Sequence, residues 1–207
     1  MAKVNELEYI LNKYDIDPAG KPPSWIDATR IDLARLFHEL DYRVGVEVGV
    51  WCGKYLAVLC EENPQARIYG IDPWEQYPGY WKHISQDRFG RKYQETQARL
   101  APFDNWELRR EYSEDAARKY FSDGLLDFVY IDANHDFLHI AQDLCWWSKK
   151  VRPGGIVSGH DFMRKRGRFR SDVKDVVQAF TYAHGIRPWF VINDSGKSPS
   201  WFYVVKG

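Results

Sequence analysis

Four ionisable side chains close two short apolar runs of the 207-residue chain: Asp132 and His135 follow Leu126–Ile131, and His160 and Asp161 follow Gly155–Ser158. Runs of this length bounded by turn signals read as buried strands, and two such strands side by side would bring all four groups to one rim. Carboxylates and imidazoles converging in a cleft are the ingredients of proton transfer or of a metal site. A second set of residues surrounds the run Val44–Val50, which carries Glu47 and Gly49 and is followed by Trp51 and Gly53. Gly49 falls where the chain must turn, and a residue without Cβ lets a ligand approach the backbone. Gly53 opens the next helix, whose first amides favour a negative group such as a carboxylate. The spacing is ExGxxxG, with the glycines four apart, and so differs from the GxGxxG of dinucleotide sites. The next run, Arg67–Ile71, ends in Asp72, with Trp74 close behind. An acidic side chain at a strand end can accept both hydroxyls of a ribose, and Trp74 is spaced to lie against a purine face.

These residues share a site only if their strands are parallel neighbours, and the order of elements predicts that. Strands are expected at 44–50, 67–71, 106–112, 126–131, 155–158, 189–192 and 201–205, with helices near 54–62, 87–100, 114–121, 136–151 and 172–184 between them. Alternation of this kind implies right-handed crossovers and a doubly wound, Rossmann-like α/β sheet with helices on both faces. Ligands in such sheets bind outside the carboxyl ends of the strands, where the residues above fall. Only eight residues, 193–200, separate the last two strands. No crossover helix fits there, so the expectation is a seven-stranded, mostly parallel sheet with one antiparallel edge strand. Residues 1–43 hold two helical stretches around a turn-rich segment with Pro18, Gly20, Pro22 and Pro23. They read as an N-terminal helical cap on a single domain that occupies residues 44–207.

Composition narrows the partners. Lys plus Arg and Asp plus Glu are each 29, so the zero formal charge removes any global pull toward nucleic acid, and no single-strand recognition motif is present. No apolar run approaches the ~18 residues of a membrane span, and the first residues lack a signal-peptide apolar core. Cys52, Cys60 and Cys145 form no CxxC, which reads as three reduced thiols in a cytoplasmic protein. Aromatics reach 16%, with nine Trp, a surplus compatible with a homodimer. Five basic residues between Met163 and Arg170 leave the fifth predicted strand beside the rim, placed to steer an anionic small molecule. The aromatic stretch from Trp74 to His83 reads either as a lid or as a packed patch.

The run VGVEVGVWCGKYLAVLCEENPQARIYGIDPW resembles the first two motifs of class I S-adenosylmethionine-dependent methyltransferases. The run LDFVYIDANHDFLHIAQDLCWWSKKVRPGGIVSGHDF is similar to the small branch that includes bacterial, macrolide-type sugar O-methyltransferases, and together the likeness spans roughly Val44 to Phe162. That resemblance implies that Glu47, Gly49 and Trp51 line the methionine part of the cofactor, and Gly53, at the start of the next helix, is a further expected cofactor contact. By the same likeness Asp72 holds the ribose and Tyr112, Ser113 and Glu114 border the adenine; Trp74 and Asp132 are further expected cofactor contacts. Metal-dependent members of that branch bind magnesium through acids at the two later strand ends and use a His three residues beyond the first as base. Asp132, His135 and Asp161 match that spacing, so Asp132 and Asp161 are the expected Mg2+ ligands and His135 the expected base. A third protein ligand stays open between Glu75, Asp136 and His160. The expected reaction is methyl transfer to a hydroxyl oxygen of a small, anionic or sugar-like acceptor. Two other readings of the same residues are a nicotinamide-dependent oxidoreductase and a non-catalytic partner subunit that binds adenosyl ligands.

Overall fold

The computed structural model describes residues 5–76, 85–163, 165, 171–194 and 198–207. In chain order the elements are α1 (Glu6–Lys13), β1 (Ser24–Ile26), α2 (Arg30–Glu39), β2 (Val44–Val48), α3 (Lys54–Glu62), β3 (Arg67–Ile71), α4 (Gln86–Leu100) and β4 (Trp106–Arg109). They continue with α5 (Ser113–Tyr120), β5 (Leu126–Ile131), α6 (Phe137–Lys150), β6 (Val151–Gly159), α7 (Val173–Ala183), β7 (Phe190–Ile192) and β8 (Ser200–Val204).

Local chemistry sets several of the boundaries. Thr29 and Asp32 form a reciprocal capping box that starts α2, satisfying two amides that an open helix end would leave unpaired. Asp136 caps α6 by accepting the His139 amide. Gly53, at φ +71°, begins α3, and a Cβ there would sit 2.9 Å from Thr96 Cγ2 on α4, so its glycine serves the turn and the packing of α3 on α4.

The strands form one sheet in the order β1-β7-β8-β6-β5-β2-β3-β4. β8 runs antiparallel to both β6 and β7, and every other pairing is parallel. Side chains of α1 to α4 pack on one face, with Phe37 of α2 stacked on Phe128 of β5 at 4.0 Å between ring centroids. Side chains of α5, α6 and α7 cover the other face. Burial of both faces explains why β2, β5 and β8 read as continuous apolar runs instead of alternating ones. From β2 the chain winds outward to β3 and β4, then returns to place β5 and β6 on the opposite side. The switch point therefore lies between β2 and β5, where a doubly wound sheet opens a crevice.

The sheet has eight strands among the described residues, against the seven expected. The additional one is β1, which pairs in parallel with β7. Three residues show no periodicity, and their partner lies more than 160 positions away, so no local pattern announces them. The reversed strand is β8, as the short final connection requires, but it lies inside the sheet between β6 and β7, and β1 forms the border. Within residues 5–43, β1 extends the sheet and α2 joins its helical layer. α1 packs at the amino ends of the strands, where Arg152 pairs with Glu6 at 3.2 Å and with Asp127 at 2.6 Å. That end is opposite the rim. β6 also begins earlier than expected, at Val151, because Pro153 and Gly154 are absorbed in a bulge between the pairings of Leu126 and Phe128, a position where a residue without an amide hydrogen is tolerated. No helix among the described residues is long and apolar enough to cross a membrane.

Candidate active site

At the end of β2, Gly49 adopts φ +91°, and a Cβ there would lie 2.2 Å from the Asp132 carbonyl oxygen. The ends of β2 and β5 close on each other here, tied by the Asp132 amide donating to the Val48 carbonyl at 2.7 Å. Beside this contact opens a cavity of about 350 Å³, bordered by Gly49, Trp51, Asp72, Tyr112, Ser113, Glu114 and Asp143 among others. Its size suits a small molecule.

Asp72 organises the floor. Its Oδ2 accepts the Trp51 amide and its Oδ1 accepts the Trp74 amide, each at 2.8 Å. Burial raises its pKa, while those amide bonds pull the other way. Each carboxylate oxygen can accept a further hydrogen bond, so both can still take a hydroxyl. Trp51 and Trp74 carry positive φ values of 53° and 45°, a strain of roughly 1 kcal/mol or more each that is commonly found at ligand sites. Trp74 does not face the cavity. It is fully buried, its indole donates to the Trp51 carbonyl at 2.7 Å, and its ring packs edge-on against Tyr93. The position expected to stack on a purine is taken up by holding the Trp51 turn. Gly53 likewise supports α3 outside the cavity lining.

On the far wall, Tyr112 donates its hydroxyl to Glu75, and Ser113 donates to Asp143 while accepting the Trp147 indole N–H at 2.8 Å. Asp143 is a site residue that the sequence reading missed. The signal was there, since Asp143 lies three residues after Ile140 and four before Trp147, both on the buried face of α6. An acid on that face needs a polar destination. Burial pushes its carboxyl up to about 7, with the Ser113 hydrogen bond and His139 opposing.

This shift makes a stability prediction. The native state keeps the Asp143 proton to about pH 7, whereas the unfolded acid releases it near 3.8. The associated stability is complete below about pH 4 and is lost as pH rises through 7. Asparagine mimics the protonated acid and does not titrate. Asp143→Asn is therefore expected to gain on the wild type as pH rises from 4.5 to 8.5, by about 3 kcal/mol. Thermal melts across that range check it, and a constant difference between the two proteins would refute the assignment.

Glu47 lies inside the sheet end, 2% exposed, and its Oε2 has no hydrogen-bond partner among the described residues. Burial holds its pKa well above the usual range, Asp132 adds to that, and Arg30 counteracts it. An orphaned buried carboxylate oxygen next to a glycine cradle fits a cationic ligand group.

The second constellation assembles at the ends of β5 and β6. His135 Nε2 stands 3.4 Å from Asp132 Oδ1 and 3.3 Å from Asp161 Oδ2. His160 Nδ1 stands 3.6 Å from Asp132 Oδ2 and 3.5 Å from Asp161 Oδ1. The two carboxylates are thus flanked by two imidazoles. Burial works against the His135 imidazolium, but Asp132 and Asp161 outweigh it and raise the pKa above 6.5. Ligand atoms of Asp132, His135 and Asp161 all lie within 4.8 Å of one another, a spacing that a divalent cation can bridge. Of the three candidates for a third ligand, His160 faces both carboxylates, Asp136 is engaged with His139 at 2.8 Å, and Glu75 accepts from Tyr112. The basic stretch 164–170, apart from Lys165, and the aromatic residues 77–83 lie outside the described residues.

A doubly wound sheet with a small-molecule cavity at its switch point and a rim of carboxylates and imidazoles beside it defines an α/β fold with a ligand crevice at its strand ends. The sequence matches the family described as methyltransferase domain over residues 46–162, from β2 to just beyond β6, and the chain belongs to that family. No curated protein matches it. Among solved structures, the O-methyltransferase TomG from Streptomyces achromogenes, in complex with SAM and involved in tomaymycin synthesis, superposes with TM-score 0.61 at 17% identity, covering 100% of this chain and 92% of its own. An O-methyltransferase from Bacillus cereus in complex with SAH gives TM-score 0.60 at 17% identity over 100% and 93%. The N-methyltransferase NodS from Bradyrhizobium japonicum WM9 gives 0.57 at 12% over 86% and 95%. The fold is shared across acceptor chemistries, so the acceptor atom must be argued from the rim.

Proposed function

We propose that the protein is an S-adenosylmethionine-dependent methyltransferase acting on a hydroxyl oxygen of a small acceptor, with Glu47, Gly49, Trp51, Asp72, Tyr112, Ser113 and Glu114 forming the cofactor site. The carrying observation is the proximity of two features: Ala133 and Asn134, which lie between Asp132 and His135, border the same cavity as Gly49 and Asp72, and Gly49 packs on the Asp132 backbone. When bound there, S-adenosylmethionine supplies a methyl group on a sulfonium, open to in-line displacement by an oxygen. The chain's part is alignment and proton removal. Asp132 and Asp161 orient the acceptor hydroxyl, and alignment alone can supply several kcal/mol of barrier lowering. His135, in its neutral form, takes the hydroxyl proton at Nε2 as the O–CH3 bond forms and the S–CH3 bond breaks.

The donor set also fits a divalent cation such as Mg2+. Asp132 and Asp161 would hold it through their carboxylate oxygens, the ligands Mg2+ favours, with His135 beside them as base. Such a cation lowers the pKa of a hydroxyl bound to it.

Calorimetric titration with S-adenosylhomocysteine, with and without MgCl2 and with NADH as a control, tests this function. The expected result is micromolar or tighter binding of the homocysteine compound and none of NADH. Binding of NADH alone would replace the reading with an oxidoreductase.

A further inference from the structure

A second concavity lies at the other end of the molecule. α6 and α7 both run away from the rim, and their last turns, with the end of β8, enclose a groove of about 560 Å³ at the amino ends of the parallel strands. Its floor is apolar, made by Phe180, Ile186, Tyr203 and Val205. The two hydroxyls in it have spent their protons: Ser148 donates to the Leu144 carbonyl, so Tyr203 donates to Ser148 Oγ, at 2.8 Å. No acid borders the groove among the described residues, whereas three basic side chains do: Lys149 at the end of α6, His184 at the end of α7 and Lys206 beyond β8. Lys149 and Lys206 are exposed and in no ion pair among the described residues, while the adjacent Lys150 is held by Asp123 at 2.7 Å. Positive charge suits the last turn of a helix, which accounts for Lys149 and His184, but Lys206 follows a strand. An apolar floor whose hydroxyl protons are spent, under a rim of ammonium and imidazole donors, matches a ligand with an apolar body and one anionic head.

We propose that this groove binds a free aliphatic carboxylate of medium chain length, with its chain along Phe180, Ile186 and Val205 and its carboxylate at Lys149 and Lys206. The groove is separate from the cavity over Gly49 and Asp72, since no residue borders both. α6 contributes to each from different positions, His139, Gln142 and Asp143 to the cavity and Cys145, Ser148 and Lys149 to the groove. The inference therefore stands apart from the function proposed above.

Cys145 serves as the reporter. It is the exposed one of the three thiols and stands in the groove wall, so a ligand seated there slows its labelling by an aromatic disulfide reagent. The probes are octanoate, octanol, octylamine and acetate, which separate the chain from the head group. Octanoate is expected to protect Cys145 saturably, with octanol about 3- to 30-fold weaker, because exposed ion pairs each contribute little. Acetate is expected to have no effect over the same range. In the double variant Lys149→Glu with Lys206→Glu the preference should invert, with octylamine protecting better than octanoate. Lys149→Gln with Lys206→Gln is the milder substitution, in which octanoate should fall to the level of octanol. Equal protection by octanoate and octanol in the wild type would overturn the assignment, as would octanoate protection that is unchanged in either double variant. Absence of Cys145 protection with every probe would remove the groove as a binding site. Labelling of the buried Cys52 and Cys60 as octanoate is added would mark detergent-like unfolding and overturn it as well.

Discussion

Gly49→Ala is expected to abolish measurable S-adenosylhomocysteine binding and to lower stability by about 2–5 kcal/mol. The new Cβ would meet the Asp132 carbonyl oxygen at 2.2 Å and the Ala133 Cα at 2.6 Å, both backbone atoms, and φ is +91°. A left-handed backbone costs an L-residue about 1–2 kcal/mol, and forcing a methyl into a packed contact adds about 1–3. The clash cannot be relieved by a rotamer change, so β2 and β5 must separate, and both the cavity floor and Asp132 move with them. Gly90 is the control. It sits in the middle of α4 with nothing within 4 Å of a built Cβ, so Gly90→Ala is expected to gain about 0.5–1 kcal/mol from reduced backbone entropy in the unfolded chain. Thermal melts with and without ligand read both variants. Retention of wild-type affinity by Gly49→Ala would show that the turn does not carry the cofactor.

Loss of the base should be the other large effect. His135→Gln is expected to reduce kcat by about 10²- to 10⁴-fold while leaving S-adenosylhomocysteine affinity within a few-fold, since His135 is outside the cavity lining. The pH profile adds a sharper criterion. The base works as neutral imidazole, so wild-type turnover should rise with pH through a pKa held above 6.5 by Asp132 and Asp161 against the opposing effect of burial. Removing a carboxylate destabilises the imidazolium, and Asp161→Asn should shift that rising limb to lower pH. His135→Gln should lack it. Turnover followed as S-adenosylhomocysteine release over a panel of hydroxylated acceptors measures all three. A rising limb that persists in His135→Gln would assign the proton to another group, of which His160 is the nearest at 3.5–3.6 Å from the same carboxylates.

How well the site could be read before folding varied with the range of the interaction involved. Gly49, Asp72, Asp132 and Asp161 sit at strand ends, and alternation of strands and helices is enough to send parallel strand ends to one rim. Trp74 has the right spacing for the same rim, yet its ring turns into the core, because a bulky apolar side chain with one N–H gains more from burial with a single backbone acceptor than from an open pocket. Asp143 was visible only as an acid out of place on an apolar helix face.

Already legible in the chain are the alternation that makes the sheet doubly wound, the parallel direction of its main strands, the reversal of β8 after a short connection, and the strand ends where chemistry could occur. These follow from periodicity and loop length, which are properties of neighbouring residues. Long-range packing settles that β1 joins the sheet border, that α1 lies at the end opposite the rim, that His160 and not Asp136 or Glu75 faces the two carboxylates, and that Glu47 Oε2 has no partner among the described residues. Those outcomes depend on which distant surfaces pack together and on where a side chain finds its hydrogen-bond partner. Both are set by burial across elements far apart in the chain, and no short window of sequence contains them.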